Sequence, residues 1–374
     1  MRYNTYIDDV PVYVPGVTTT EELVRSHGIS EEKIVKLSSN ENPLGPSPLA
    51  IEAVKNELPN LNIYPDNTYS ELKRALSEKW KVKPENIAVG NGSSEIFLFL
   101  SLAFLNEKST LVTSRHTFQI YKISGKIVGA NVIQVPMRKG LKIDLEGILS
   151  SITRDTSIVY ICNPNNPTGS YLTKAEVEYF LEQVPEDILV VFDEAYYEYV
   201  TASDYPKTIN YIDRGNVVII RTFSKIYGLA GLRLGYAITS PEIIEKFEHV
   251  RFPFSVSRTA VVAGISALKD TLHVQKSRAS NERNKFKMYK KFEELGVKYI
   301  PTQGNFIYLE TKIPGKRLFE MLLNYGIIVR PLDAYELPMG IRVTIGDDHQ
   351  TDQFLSALED VIRKWDTISS REEG

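Results

Sequence analysis

Residues 217–236 read VVIIRTFSKIYGLAGLRLGY: a β-branched apolar run closes on Arg221, Thr222, Phe223, Ser224 and Lys225, then enters a glycine-rich turn carrying Arg233. A short run that is apolar at successive positions, rather than at every second one, marks a strand buried on both faces, as in a parallel sheet covered by helices. Outward from it, similar runs at 87–89, 110–113, 131–135, 157–162 and 189–192 alternate with helical stretches, and several end at Gly, Asn or Asp. That alternation predicts an α/β unit with a mostly parallel sheet. After about residue 253 the pattern changes to a basic helical stretch at 279–294 (ASNERNKFKMYKKFEE), with strands at 305–310, 326–330 and 340–344, which predicts a second, smaller α+β domain. Residues before 40 are broken by Pro11, Pro15 and Gly28, then by the loop NENPLGPSP at 40–48, and read as an arm over a surface. The expected division is an arm at 1–39, a large domain at 40–265, a small domain at 266–368 and a disordered tail, SSREEG, at 369–374.

Composition narrows the function classes. The chain has 374 residues, 44 Lys plus Arg against 47 Asp plus Glu, a formal charge of −3 and 43% hydrophobic residues, the profile of a soluble globular protein of two domains. The near-balance of charge gives no electrostatic reason to expect nucleic acid or an anionic membrane as a partner. The single cysteine, Cys162, has no intrachain partner, and Asp8 and Asp9 stand where an export signal would be apolar, so a cytoplasmic location is expected. The longest apolar stretch, IFLFLSLAFL at 96–105, is half the roughly 20 residues that span a bilayer and reads as a buried helix. No metal is expected: the five His residues are scattered, and neither HExxH nor GxxxxGK[ST] occurs.

Ligands of an open parallel sheet gather at the carboxyl ends of its strands, and four ends here carry chemistry. The first, IAVGNGSSE at 87–95, is a strand, a glycine turn through Gly92, and Ser93 and Ser94 at the head of an apolar helix. It can cradle a phosphate or simply cap a helix. It is not a dinucleotide fingerprint, because Glu95 stands where GxGxxG needs glycine. The second, NPNNPTG at 163–169, offers three asparagine side chains on a rigid loop, as donors to a ligand oxygen or as parts of a tight turn. At the third, LVVFDEAYYEY, Asp193 and Glu194 emerge from an apolar strand with Tyr196 close behind. Such a carboxylate needs a partner, whether a metal, an arginine or a protonated ligand nitrogen, unless the doublet is simply an acidic helix start. The fourth places Lys225 between Thr222 and Ser224, where neighbouring positive charge and partial burial turn a lysine into an imine-forming nucleophile. Pyridoxal 5′-phosphate asks for all four: a lysine for its aldehyde, an acid for its ring nitrogen, donors for its ring oxygen and a cup for its phosphate.

The series GNGSSE, NPNNPTG, DEAY and TFSKIYGLAGLRLGY, with SSNENPLGP upstream and GIIVRPLDAYELPMGIRVTIGD downstream, resembles the class I/II aminotransferases of fold type I, and among them most closely the histidinol-phosphate aminotransferases. The resemblance runs from about Tyr13 to Gly346. It implies a three-layer α/β/α large domain binding pyridoxal 5′-phosphate, plus a smaller α+β domain. It implies Lys225 as the cofactor lysine and proton carrier, Asp193 as partner of the ring nitrogen, and Asn166 and Tyr196 on the ring oxygen. Gly92, Ser93, Ser94, Thr222, Ser224 and Arg233 would hold the phosphate, and Phe118 would stack on the ring. Tyr64, in IYPDNTY, resembles a tyrosine that reaches the partner subunit's cofactor, which implies a homodimer with shared sites. Tyr13, Asn42, Arg330 and Arg342 are the implied substrate contacts, the two arginines for a phosphate or carboxylate. The expected reaction is ping-pong transamination between L-histidinol phosphate and 2-oxoglutarate, with an aromatic amino-acid aminotransferase and a threonine-phosphate decarboxylase as rivals. A nicotinamide oxidoreductase would leave Lys225 and Asp193 idle.

Overall fold

This computed structural model describes residues 3–13, 32 and 34–372; Pro15 and Gly28 of the expected arm lie outside the described residues. After a two-residue strand β1 (Val35–Lys36), seven strands build the central sheet: β2 (Ile87–Gly90), β3 (Thr110–Ser114), β4 (Asn131–Val135), β5 (Thr156–Cys162), β6 (Leu189–Asp193), β7 (Val217–Thr222) and β8 (Gly235–Ile238). Their spatial order is β2-β8-β7-β6-β5-β3-β4, parallel throughout except for β8, which runs antiparallel to both its neighbours. All six runs read from the sequence are strands of this sheet. The seventh, β8, was not expected: GYAI is four residues long and begins at a glycine, too little to register as a strand without the neighbours that bury it.

Successive side chains of a strand point to opposite faces, and here both directions end in apolar packing. Val190, Phe192, Val217 and Ile219 join one core with Leu72, Phe180 and Phe223. Leu189, Val191, Val218 and Ile220 join another with Ile96, Phe97 and Tyr160. The apolar run at 96–105 forms all but the start of the helix Gly92–Phe104 and ends on its extended C-cap, Leu105; Ile96, Phe97, Phe99 and Leu100 are buried against the second of these cores. No helix among the described residues is long and apolar enough to cross a membrane.

A second body follows. Strands β9 (Lys298–Ile300), β10 (Phe306–Glu310), β11 (Ile327–Ile328), β12 (Arg330–Pro331) and β13 (Gly340–Thr344) divide between an antiparallel sheet, β12-β13-β10-β9, and a two-stranded parallel pair of β1 with β11. The single strand expected at 326–330 is therefore two, because Ile327 and Ile328 pair with the start of the chain while Arg330 turns to face Arg342. Val35 and Leu37 share this body's core with Phe292 and Phe354. The helix Thr271–Glu294 begins eight residues before the expected 279, its first turn closed by Asp270, whose carboxylate accepts from the His273 N–H at 3.0 Å. The final helix, Asp348–Glu372, continues through backbone where a disordered tail was expected from residue 369. A helix already nucleated extends at little cost through residues such as Arg and Glu.

One glycine fixes how closely the start of β8 approaches the helix Gly92–Phe104. A Cβ on Gly235 would stand 2.5 Å from the Ser93 nitrogen and 2.7 Å from the Gly92 carbonyl carbon, both backbone atoms that cannot step aside. Gly235→Ala is expected to lower the unfolding free energy by about 1–3 kcal/mol in urea titration. Gly231→Ala, where the added carbon meets nothing within 4 Å, should change it by less than about 0.5 kcal/mol.

Candidate active site

The carboxyl ends of β5, β6 and β7 open into a cleft lined by Cys162, Asp193 and Thr222, closed on its far side by Arg330 and Arg342 of the second body. Asp193 ends β6 almost without exposure (3%). Its Oδ2 accepts from the Tyr121 hydroxyl at 2.5 Å and its Oδ1 from the Ala195 N–H at 3.0 Å. Burial pushes its carboxyl up to about 6, against the pull of those two bonds and of the Lys225 charge. Tyr121 is itself immobilised, stacked on Tyr160 with ring centres 5.0 Å apart. Glu194, the second acid of the doublet, does not line the cleft; it is paired with Arg221, Nη2 to Oε2 2.8 Å.

Lys225 reaches the same cleft from the turn after β7. Its Nζ donates to the Ser39 carbonyl at 3.3 Å and stands 5.6 Å from the centre of the Tyr196 ring. Burial, seconded by the positive charges of Arg342 and Arg233, lowers its ammonium to about 8, with Glu41 and Asp193 pulling the other way. The turn is seated from behind: Asn42 Nδ2 donates to the Ile226 carbonyl at 2.7 Å and to Ser277 Oγ at 2.8 Å, and its Oδ1 accepts from the Leu44 N–H at 3.0 Å. The expected substrate contact of Asn42 is thus corrected: its polar atoms are spent on the scaffold and it is not part of the lining. Asn40, two residues earlier and held in the left-handed region at φ 57°, lines the cleft instead.

Around the glycine turn, Ser93, Ser94, Thr222, Ser224 and Arg233 all line one end of the cleft. Gly92 acts by what it lacks. At φ +76° its Cβ would stand 2.5 Å from Arg233 Nη2, so only glycine admits the guanidinium at that depth. Arg233 is aimed by bonds from Nη1 to the Ala230 carbonyl at 3.1 Å and to Ser224 Oγ at 3.5 Å. Asn91, which precedes the helix, makes no side-chain cap to it. The first-turn N–H groups therefore face this end with the positive end of the helix dipole.

Of the three asparagines at 163–169, only Asn166 lines the cleft. Asn163 exchanges bonds with the Leu172 backbone, and Asn165 is held by Thr117, Thr168 and the His116 carbonyl. Asn166 Oδ1 accepts from Arg342 Nη1 at 2.6 Å, while Arg342 Nη2 donates to the Ser38 carbonyl at 2.6 Å. The Tyr196 hydroxyl accepts from Asn40 Nδ2 at 2.9 Å. Asn166 and Tyr196 thus have their acceptor oxygens engaged by the protein, which leaves an amide N–H and a phenolic proton to offer elsewhere.

At the far end Arg330 and Arg342 are direct cross-strand partners, both buried. Like charges so placed repel, and Arg342 Nε is buried with no acceptor among the described residues. The planar fork of an arginine matches the oxygens of a carboxylate or phosphate. Tyr13 and Phe118 line the cleft, and so do Ser38, Ser39, Ala195 and Tyr335, which sequence reasoning did not single out. Tyr335 is held in place through its segment's backbone, with His116 Nδ1 2.7 Å from its carbonyl and Gln119 donating to the Ala334 carbonyl at 2.6 Å. Tyr64 lies away from the cleft of its own chain, 76% exposed, its ring 4.8 Å from that of Phe254.

A nucleophilic amine, a buried acid needing a cation, two hydrogen-bond donors and an anion cup converge on one cleft of a three-layer α/β/α fold, and comparison with known proteins assigns the class. The chain belongs to the family described as "Aminotransferase class I and II", whose profile matches residues 32–358. Among individual relatives, it is 44% identical over 352 residues to the histidinol-phosphate aminotransferase of Moorella thermoacetica, covering 94% of this chain and 90% of that one. It is 40% identical over 363 residues to the histidinol-phosphate aminotransferase of Bacillus subtilis, covering 97% of this chain and 100% of that one. A solved structure of histidinol-phosphate aminotransferase from Sinorhizobium meliloti in complex with pyridoxal 5′-phosphate superposes with a TM-score of 0.88 at 29% identity, covering 97% of this chain and 98% of that one.

The two shifted groups make stability depend on pH in opposite senses. Between 3.8 and about 6 the folded chain keeps a proton on Asp193 that the unfolded chain has lost, so stability falls as pH rises. Between about 8 and 10.5 the unfolded chain holds a proton on Lys225 that the folded chain has shed, so stability rises with pH. In urea unfolding of the ligand-free protein across this range, Asp193→Asn should make the falling limb shallower and Lys225→Met the rising one, the remainder belonging to Glu194, Glu198 and Lys79, which burial shifts in the same senses.

Proposed function

We propose that the chain is a homodimeric, cytoplasmic transaminase that moves an amino group between L-histidinol phosphate and 2-oxoglutarate, in ping-pong fashion, with pyridoxal 5′-phosphate held in the cleft. The observation that carries this reading is the convergence of Lys225 and Asp193 on one cleft from the ends of neighbouring strands. The residues present fit the cofactor. A buried carboxylate already raised toward neutrality suits a protonated ring nitrogen, and Ser93, Ser94, Arg233 and the helix N-terminus suit a phosphate dianion. When bound, the cofactor supplies an electron sink for the carbanion left by loss of the substrate's Cα proton.

Each side chain then has a task. Asp193 holds the proton on the ring nitrogen. Asn166 Nδ2 and the Tyr196 hydroxyl donate to the ring oxygen, and Phe118 covers a ring face. Thr222 and Ser224 join Ser93, Ser94 and Arg233 on the phosphate, with Gly92 making room. Lys225 Nζ tethers the cofactor and, as free amine, takes the Cα proton and returns it one step later, work suited to an amine lowered to about 8. Arg330 and Arg342 hold the substrate phosphate or carboxylate, with Tyr13 beside them.

The homodimer reading rests on exposed apolar side chains. Leu58, Leu61, Ile63, Tyr64, Phe252 and Phe254 are all in solvent in the single chain, and Tyr64 packs on Phe254 at one edge of the group. A partner covering this surface would bring its own Tyr64 toward the cofactor phosphate. Mixing Lys225→Ala chains with Tyr64→Phe chains should then rebuild one complete site per heterodimer and restore cofactor affinity that Tyr64→Phe alone weakens, measured by absorbance titration.

The substrate reading is tested by single turnover. Histidinol phosphate should bleach the visible band of the bound cofactor, and Lys225→Ala should lack that band. Bleaching by phenylalanine alone would make the protein an aromatic aminotransferase, and release of CO2 from phosphothreonine would make it a decarboxylase.

A further inference from the structure

Behind the cleft, the ends of β6 and β7 are tied by a second polar arrangement that no step above uses. Arg221 and Glu194 are both fully buried, with side-chain exposures of 1% and 0%. Arg221 Nε and Nη2 both donate to Glu194 Oε2, at 3.0 and 2.8 Å, and Glu194 Oε1 accepts from the Thr208 hydroxyl at 2.5 Å. The guanidinium lies between two rings, 3.9 Å from the centre of Trp80 and 3.6 Å from that of Tyr197. Strand alternation sets this arrangement back to back with the cleft. Val217 and Ile219 face one core and Val218 and Ile220 the other, so Arg221 and Thr222, next in the series, point to opposite sides. Thr222 lines the cleft and Arg221 does not; on β6, Asp193 lines it and Glu194 does not.

Stability alone does not call for such a pair, since apolar groups of the same volume serve as well or better. Two donors of one planar guanidinium converging on a single carboxylate oxygen, with the guanidinium held between two rings, instead fix a distance and an orientation. Its members are the immediate chain neighbours of Asp193 and Thr222, and Thr222 opens the turn that carries Lys225. The pair also matches with a counter-charge a second carboxylate one residue from Asp193.

We propose that Glu194 and Arg221 are positioning residues for the cofactor: their bond sets the spacing between Asp193 and the Thr222–Lys225 turn, and it screens Asp193 from the neighbouring carboxylate. This rests on the cofactor reading above. The test uses the full-length holoprotein, with the unfolding temperature of each ligand-free variant as a check on folding. In Glu194→Gln the amide keeps the shape but leaves Arg221 only the buried Glu198, which also faces Lys79, as counter-charge, so the pH at which the cofactor's visible band titrates should move down. Arg221→Lys keeps the charge but loses the fork and the ring contacts. It should release the cofactor roughly tenfold or more easily, with kcat falling and KM for the amino donor unchanged. Glu194→Leu combined with Arg221→Met replaces the pair by apolar groups. It should fold, bind the cofactor weakly and titrate at a shifted pH.

Folded variants whose cofactor affinity and titration match the unmodified protein would overturn the proposal. Loss of folding in all three would assign the pair to stability alone and would overturn it equally. A visible band missing from the unmodified protein would instead sink the cofactor reading on which the proposal stands.

Discussion

A carboxylate that water cannot reach sets the terms for the whole cleft. Asp193 stands at the end of a strand whose paired residues on either side are almost all apolar, and the two donors it meets, Tyr121 and the Ala195 N–H, do not offset its loss of hydration: its carboxyl remains raised to about 6. In such a medium a charge nearby counts for far more than in water. The same burial that raises Asp193 lowers Lys225, so an acid and a base that would be fully charged in solution are brought toward one another's range. Groups matched in this way exchange protons readily with a bound molecule near neutral pH.

The geometry that makes this possible is backbone touching backbone. Gly235 lets β8 lie against the first turn of the helix Gly92–Phe104, and Gly92 admits Arg233 into the space a side chain would fill. Gly228 does the same for the lysine turn: at φ +68° it sits where a Cβ would collide with the Gly45 carbonyl. The loop carrying Asn42 therefore presses directly on the turn carrying Lys225. Three elements far apart in sequence meet without side chains between them, and such contacts leave little room for adjustment.

How much of this was legible in the sequence follows from what each feature depends on. Strands such as LVVF and VVII declare themselves because burial on both faces demands apolar residues at every position, a local property. The strand pair β1 and β11 does not, since two residues at 35–36 become a strand only by meeting Ile327 and Ile328 nearly three hundred positions later. The asparagines at 163, 165 and 166 have the same side chain in one loop, and only tertiary bonds decide that two serve the scaffold and one the cleft. For the same reason nothing local tells that Asn40 would line the cleft while Asn42 seats the lysine turn. The doublet of Asp193 and Glu194 announced a need for partners, but that the second acid would find Arg221 between two aromatic rings is a matter of packing that no local pattern encodes.

The helix Thr271–Glu294 has one more consequence. Its early turns are tied to the large body, where Ser277 takes a hydrogen from Asn42 and Arg278 donates to the Glu198 carbonyl at 2.7 Å. Its later turns, through Met288 and Phe292, are embedded in the core of the smaller body. A rod anchored at both ends in this way works as a brace: through Asn42 it joins the backing of the lysine turn to the hydrophobic core of the body that carries Arg330 and Arg342, so the spacing of the two halves of the cleft is held by a single continuous element.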